Sequence, residues 1–284
     1  MAQGADHARR ARRPAPLRRR HRRRALREPL RHALLPQRHR FPTGRFCGRE
    51  HHDRRSLDRP RTFRRHRDLA PFRDRPASAQ GVKVVDRKIH VIGRDQITRL
   101  HDLNADGEAD YHECIFNRYE SSPGGHDFVV GLDRDNAGRF YTSSGNQGIL
   151  RLTLPDKVEV IATGLRNPNG VAVSPDGRFI TSSVQEGDWT PSSAVCMVEA
   201  GFSEGAHFGS GGPREGRAPT PPLLHLPRGE DNSSAGQLFL GAGRWPTLAG
   251  DSNLLHFSFG TGSAWIISRQ KVAGIWQGAA QRIT

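Results

Sequence analysis

The chain has 284 residues, a formal net charge of +15 and 35% hydrophobic residues. It contains no run of about eighteen apolar residues, which argues against a membrane-spanning helix, and no secretory signal is visible. The charge is concentrated at one end. Residues 1–80 hold 25 Arg, no Lys and 7 acidic residues, giving +18, whereas residues 81–284 hold 19 basic and 22 acidic residues, giving −3.

Residues 1–80 are an arginine-rich segment that also lacks Val, Ile, Tyr, Trp and Asn. One interpretation is an arm that neutralises nucleic-acid phosphates. The interpretation we favour is GC-rich DNA translated in a wrong frame or upstream of the true start, that is, a mistranslated segment. Without branched aliphatic residues other than Leu, the segment has little with which to build a core, so we expect disorder. Nucleic acid is therefore not the partner that we expect.

Residues 81–284 have the composition of an all-β domain. Short runs rich in β-branched residues alternate with Gly, Asp, Asn and Pro, which is typical of many antiparallel strands. No long amphipathic helix is indicated. The predicted strands are residues 82–85, 88–92, 96–100, 128–132, 139–142, 148–152, 158–162, 170–173 and 178–181.

The turns of this region repeat. Residues 133–140 (DRDNAGRF) and 174–179 (SPDGRF) each follow a short apolar strand and precede a strand that begins with an aromatic residue. Their separation of about forty residues is typical of β-propellers with four strands in each blade. We therefore predict a partial β-propeller over 81–284, with about four four-stranded blades of a six-bladed type.

Residues 102–113 (DLNADGEADYHE) match the calcium-loop pattern D-x-[DN]-x-[DN]-G-x5-E at every fixed position. Alternating oxygen ligands would converge on a hard cation, and Gly107 permits the sharp turn. The alternative is an Asx-rich hairpin without metal. The predicted ligands of a structural Ca²⁺ are Asp102, Asn104, Asp106, Glu108, Asp110 and Glu113.

The motif order resembles that of the glucose/sorbosone dehydrogenase family, six-bladed propellers that bind pyrroloquinoline quinone. The resemblance covers about residues 81–270. It rests on a His before a strand, on a Tyr-to-Gly segment, on an Arg-Asn-Pro segment and on a Ser-Ser-Ala-Gly segment: residues 125–128 (GHDF), 141–148 (YTSSGNQG), 164–172 (GLRNPNGVA) and 233–236 (SSAG). The amino-acid sequence around these segments is most similar to that of large secreted propeller proteins of planctomycete-type bacteria.

The resemblance implies a quinoprotein that oxidises a sugar or another alcohol. His126 would be the catalytic base, and Arg166, Asn167 and Asn169 would face the quinone. It further implies a bacterial periplasmic or secreted protein, with a haem or cytochrome c domain as electron acceptor. Asn169 replaces the family's Gln, and the expected acidic pair near the cofactor calcium is not evident. We therefore expect a fragment of such a dehydrogenase propeller and leave its activity open. The alternative is a non-catalytic propeller that binds carbohydrate or a partner protein domain.

Overall fold

The computed structural model describes residues 78–121, 128–186, 190, 192–212, 216–241 and 253–283. These residues form four consecutive sheets, antiparallel except for one short parallel strand pair, and contain no α-helix. Accordingly, no helix in this part of the chain has the length and apolar character needed to cross a membrane. The predicted all-β propeller is confirmed, while the full number of blades remains a prediction.

Each sheet is one blade, and its strands follow one another outward from the innermost strand. Blade 1 contains β1 (Gly81–Val85), β2 (Lys88–Ile92), β3 (Ile97–His101) and β4 (Tyr111–Phe116). Blade 2 contains β5 (Val129–Arg134), β6 (Phe140–Ser144), β7 (Gly148–Thr153) and β8 (Lys157–Thr163). All nine strands that the sequence predicts are present, with bounds that differ by at most a few residues.

Blades 3 and 4 complete the described domain. Blade 3 contains β9 (Asn169–Val173), β10 (Phe179–Val184), β11 (Ser192–Glu199) and β13 (Leu224–Pro227). Between β11 and β13 the chain returns to blade 2, where the short β12 (Ala206–His207) pairs in parallel with β8. Blade 4 contains β14 (Ser234–Phe239), β15 (Leu254–Ser258), β16 (Ser263–Val272) and β17 (Ile275–Arg282).

The hydrophobic core is divided among the interfaces between successive blades. One cluster, which includes Ile92 and Phe140, joins blades 1 and 2. A second, which includes Tyr141 and Ile180, joins blades 2 and 3, and the third joins Phe179 of blade 3 to Ile267 of blade 4. Because each blade buries its apolar side chains against the next one, alternation along the strands is the sequence pattern that specifies this architecture.

Glycines allow the inner strands to approach one another closely. β1 contacts β5, β5 contacts β9 and β9 contacts β14. A Cβ added to Gly131 would lie 2.8 Å from the Cα of Gly170, and one added to Gly170 would lie 2.7 Å from the Cα of Gly236. A Cβ added to Gly81 would likewise lie 2.8 Å from the carbonyl carbon of Gly131. No side chain fits between these strands at this level, which we call the glycine level.

The repeated turns connect the first and second strands of blades 2 and 3. In blade 2, Gly138 N donates to Asp135 O, and in blade 3 Gly177 N donates to Ser174 O. Both glycines have a positive φ, which favours glycine. The two turns also contact each other, because Asn136 N donates to Pro175 O. These turns are structural hairpins at the far ends of the inner strands.

Candidate functional site

A cleft of about 200 Å³ lies at the end of the propeller where the inner strands begin. Most of its wall comes from residues just before or within the first residues of β1, β5 and β9, with Gln185 entering from the end of β10. The lining residues are Gln80, Phe128, Val130, Asn167, Pro168, Asn169 and Gln185. None of these side chains is charged, so this wall offers amide groups beside apolar and aromatic surface.

The Arg166-Asn167 pair is fixed by the residues that follow β10. Gln185 N donates to Arg166 O at 3.1 Å, and Asn167 Nδ2 donates to Gln185 Oε1 at 3.2 Å. The Arg166 guanidinium donates through Nη1 to the carbonyl oxygen of Glu186. Glu186 is itself held, because its Oε2 accepts a hydrogen bond from Ser193 Oγ at 3.0 Å. The two residues are thus locked in position before any ligand arrives.

Backbone conformation explains part of the Arg-Asn-Pro-Asn segment. Asn167 has a φ of 39°, in the left-handed region where Asn is among the better tolerated residues. Gly211 lies so close to Arg166 that an added Cβ would be 2.6 Å from the Arg166 Cβ. The backbone conformation therefore favours Asn at position 167, and the close packing against Arg166 favours Gly at position 211. Both residues are also neighbours of the cleft.

Asn169 is bound through its main chain, which leaves its side chain available. Its carbonyl oxygen accepts hydrogen bonds from Ser183 Oγ at 2.6 Å and from Gln237 Nε2 at 3.3 Å. The Asn169 amide group lines the cleft and has no hydrogen bond to another described residue. This amide can therefore bind a ligand without first giving up a protein contact.

A buried polar cluster supports the same end of blade 4. Asp231, Ser234 and His256 are fully buried, and Asp231 Oδ2 accepts hydrogen bonds from Ser234 Oγ at 2.6 Å and from His256 Nε2 at 3.1 Å. Burial alone would raise the pKa of the Asp231 carboxyl, but the hydrogen bonds from His256 and Ser234 hold it below its ordinary value. The cluster thus fixes the start of β14 beside the cleft.

The predicted site residues are placed as follows. Asn167 and Asn169 line the cleft, and Arg166 lies beside it. His126 lies outside the described residues, so its role stays a prediction. Sequence reasoning missed Gln185, Gln80 and Phe128. The register of β9 and β10, which pairs Ser183 with Asn169, places Gln185 opposite Asn167, so a correctly registered hairpin is the signal that would have found it.

The calcium-like loop is held by its own backbone. Asp102 Oδ1 and Oδ2 accept hydrogen bonds from Ala105 N and Gly107 N at 2.7 and 2.9 Å. Asp106 Oδ1 accepts from Glu108 N at 2.8 Å, and Asp110 Oδ2 accepts from Leu103 N at 2.7 Å. These contacts are those of the Asx-rich hairpin, which is the alternative to a metal site.

Glu113, the predicted last ligand, belongs to β4 and is engaged there. Its Oε2 accepts hydrogen bonds from Arg99 Nη2 at 2.6 Å and contacts His101 Nε2 at 2.8 Å. The Arg99 and His101 bonds hold the pKa of Glu113 below its ordinary value. In the described part of the chain, no three His, Cys, Asp or Glu side chains are grouped to hold a metal ion. The presence of a Ca²⁺ ion in this loop remains a prediction.

Comparison with known proteins supports the fold. The chain is similar to a solved "glucose dehydrogenase", with a TM-score of 0.55 and 16% identity over 75% of this chain and 76% of that one. It is also similar to the soluble aldose sugar dehydrogenase of Escherichia coli, with a TM-score of 0.53 and 15% identity over 75% and 77% of the two chains. No protein-family model and no curated protein matches the chain. The domain thus has the propeller fold of solved sugar dehydrogenases.

Proposed function

We propose that the protein is a sugar or alcohol dehydrogenase of the pyrroloquinoline quinone type. The observation that carries this proposal is the placement of the Arg-Asn-Pro-Asn segment. It opens the inner strand of blade 3 and sets the amides of Asn167 and Asn169 in one cleft at the end where the inner strands begin. Shared fold alone is weak evidence for a shared reaction, so the proposal rests on this site.

The residues present suit a planar, oxygen-rich cofactor. Arg166 holds its position through one guanidinium nitrogen and retains further N–H groups for a carboxylate or carbonyl oxygen. The amides of Asn167 and Asn169 can donate to carbonyl or carboxylate oxygens and can accept from hydroxyl groups. Phe128 and Pro168 supply apolar surface for a ring. When bound, the quinone would accept the hydride from the alcohol carbon. His126 is proposed to take the proton of the substrate hydroxyl.

The wider assignments follow from the resemblance and form part of the proposal. The protein would be bacterial, would work in the periplasm or outside the cell, and would resemble planctomycete-type propellers. It would pass electrons to a haem or cytochrome c domain. A structural calcium in residues 102–113 also belongs here. Each is independent of the cleft, so any one of them can fail without removing the others.

A second candidate is a propeller that binds carbohydrate or a partner protein domain without oxidising anything. The described part of the cleft wall favours it: its amides and the Phe128 ring suit neutral hydroxyl groups and the apolar face of a sugar, and none of the described lining residues is a cation that would balance the carboxylates of a quinone. Both candidates place the ligand in the same cleft. They differ in whether the bound sugar is oxidised.

The test is dye-linked sugar oxidation by the full-length protein with added pyrroloquinoline quinone and calcium. Wild type should turn over, and His126→Ala should not. Asn167→Gly is the matched control for Asn167→Ala, because glycine tolerates the positive φ and removes only the side chain. If the amide binds the ligand, both variants lose affinity, whereas a role only in the backbone would spare Asn167→Gly. Sugar binding without quinone-dependent turnover in folded wild type would leave the second candidate.

A further inference from the structure

A second, larger cleft of about 610 Å³ lies at the opposite ends of the inner strands. Its wall includes the end of β1, the turn after β5, and the ends of β9 and β14. Lys83, Arg134, Val84, Leu238 and Phe239 are among the lining residues. The cleft is therefore formed by all four described blades, and the proposed function does not use it.

Most charges around this cleft are already paired. Lys83 forms an ion pair with Asp133, whose Oδ2 also accepts a hydrogen bond from Val173 N at 2.7 Å. Asp135 accepts hydrogen bonds from Arg139 Nε at 2.6 Å and from Tyr141 Oη at 3.0 Å. These two carboxylates are satisfied by the protein and have little capacity left for a cation.

Arg134 is the exception. Its guanidinium has no ion pair with any described carboxylate, and its Nε is buried without a hydrogen-bond acceptor. The guanidinium carbon lies 5.6 Å from the centre of the Phe140 ring, which holds the group in place. The terminal nitrogens Nη1 and Nη2 of Arg134 have no hydrogen bond to a described residue, so both can donate to a ligand.

Apolar side chains line the same cleft. Val84 is 60% exposed and Leu238 is 49% exposed, and both line the cleft together with Phe239. Three carboxylates line the same cleft: Asp133 and Asp135, which are paired with Lys83 and Arg139, and Asp86, which is exposed and therefore screened by solvent. The cleft thus presents a planar donor group next to apolar walls.

We propose that this second cleft binds a small organic anion, with its carboxylate or phosphate oxygens on Arg134 and its apolar body against Val84 and Leu238. The planar fork of arginine matches two oxygens of either group, which a lysine ammonium does not. The site is separate from the amide-lined cleft and does not depend on any oxidation reaction.

The experiment is titration calorimetry of the full chain with hexanoate, acetate, inorganic phosphate, hexyl phosphate and neutral hexanol. Hexanoate or hexyl phosphate should bind, and the comparison of the two decides which oxyanion is preferred. Arg134→Gln should weaken binding at least about tenfold, since hydrogen bonds to charged groups are among the stronger ones. Arg134→Lys should bind with intermediate affinity. Arg228→Gln removes the same charge from an exposed position and should bind as wild type does.

Leu238→Asp tests the apolar wall with a residue that is already half exposed and keeps the test valid if the Arg134 variants do not fold. It should abolish binding of hexanoate and hexyl phosphate. The proposal is overturned if wild type binds no anion, or if Arg134→Gln and wild type bind equally well. Equal affinities for acetate and hexanoate, or for the two phosphates, would overturn the part assigned to the apolar walls.

Discussion

Glu199 joins blades 3 and 4 through a buried carboxylate. It is 2% exposed at the end of β11. Its Oε1 accepts hydrogen bonds from Arg178 at 2.7 and 3.1 Å, and its Oε2 accepts from Trp276 Nε1 at 2.6 Å and from Lys271 Nζ at 3.1 Å. Lys271 and Trp276 belong to blade 4. We predict that Glu199→Gln destabilises the domain and that the loss depends on pH.

The magnitude follows from the pKa. Burial alone would raise the pKa of Glu199, but the hydrogen bonds from Trp276, Arg178 and Lys271 outweigh it and lower the pKa from 4.5 to about 2. At about 1.4 kcal/mol per pKa unit, the ionised group stabilises the fold by roughly 3 kcal/mol at pH 7. Because the folded pKa lies below the unfolded one, this contribution is complete above about pH 5 and is lost as the pH falls towards 2. At pH 3 it is about 1.4 kcal/mol.

Urea denaturation of wild type and Glu199→Gln at pH 7 and pH 3 measures both quantities. The difference in the free energy of unfolding should be about 2 to 3 kcal/mol at pH 7 and about half of that at pH 3. Glu230→Gln is the matched control, because the Glu230 side chain is 56% exposed and its ion pair with Arg282 is 3.6 Å long. That variant should lose less than about 1 kcal/mol. Equal losses in the two variants at pH 7, or a Glu199→Gln loss that is the same at both pH values, would refute the reasoning.

Three further predictions use the same approach. Gly131→Ala should lower the free energy of unfolding by about 2 kcal/mol more than Gly201→Ala in the same denaturation assay, since both glycines have a φ near 77° but only Gly131 has backbone within 3 Å of an added Cβ; equal losses would contradict the contact. Calcium should raise the melting temperature of wild type but not that of Asp106→Ala, and an equal response in both would remove the metal site. Gln185→Ala should weaken ligand binding in the amide-lined cleft while Gln185→Glu partly retains it, because only the latter can still accept from Asn167 Nδ2; unchanged binding in Gln185→Ala would show that the Asn167 contact is dispensable.

The fold could be predicted where the pattern is local. Strands β1 to β3 and β5 to β10 follow from β-branched alternation and from the Asp-to-Gly turns, each of which is encoded within a few residues. Among the first ten strands only β4 was missed, because it contains His112 and Glu113 and follows a loop whose residues match a metal motif; β11 to β17 were not predicted as individual strands. The strand character of β4 comes from pairing with β3, including the Arg99–Glu113 contact across the two strands. Such a contact between strands is not visible in a single segment.

The candidate site could be predicted only in part, for a similar reason. Asn167 and Asn169 are found from the Arg-Asn-Pro-Asn segment, which is continuous in sequence. Gln80, Phe128 and Gln185 reach the same cleft from three different segments, and their meeting depends on the close approach of the inner strands. A glycine within a strand, such as Gly131, usually indicates weak strand propensity. Here Gly131 allows the inner strand to approach the next blade closely, and this approach brings the residues of the cleft together.

The glycine level also separates the two clefts. In each of the first three inner strands, residues of the amide-lined cleft precede the glycine and residues of the second cleft follow it: Gln80 and Lys83 flank Gly81, Val130 and Asp133 flank Gly131, and Asn169 and Val173 flank Gly170. The two sites therefore share strands but no lining residue. Substitutions at distant sites with no common partner usually have additive effects. Arg134→Gln should thus leave sugar binding unchanged, and Asn167→Gly should leave hexanoate binding unchanged. A change of either affinity in the other site's variant would mean that the inner strands transmit a shift through the glycine level.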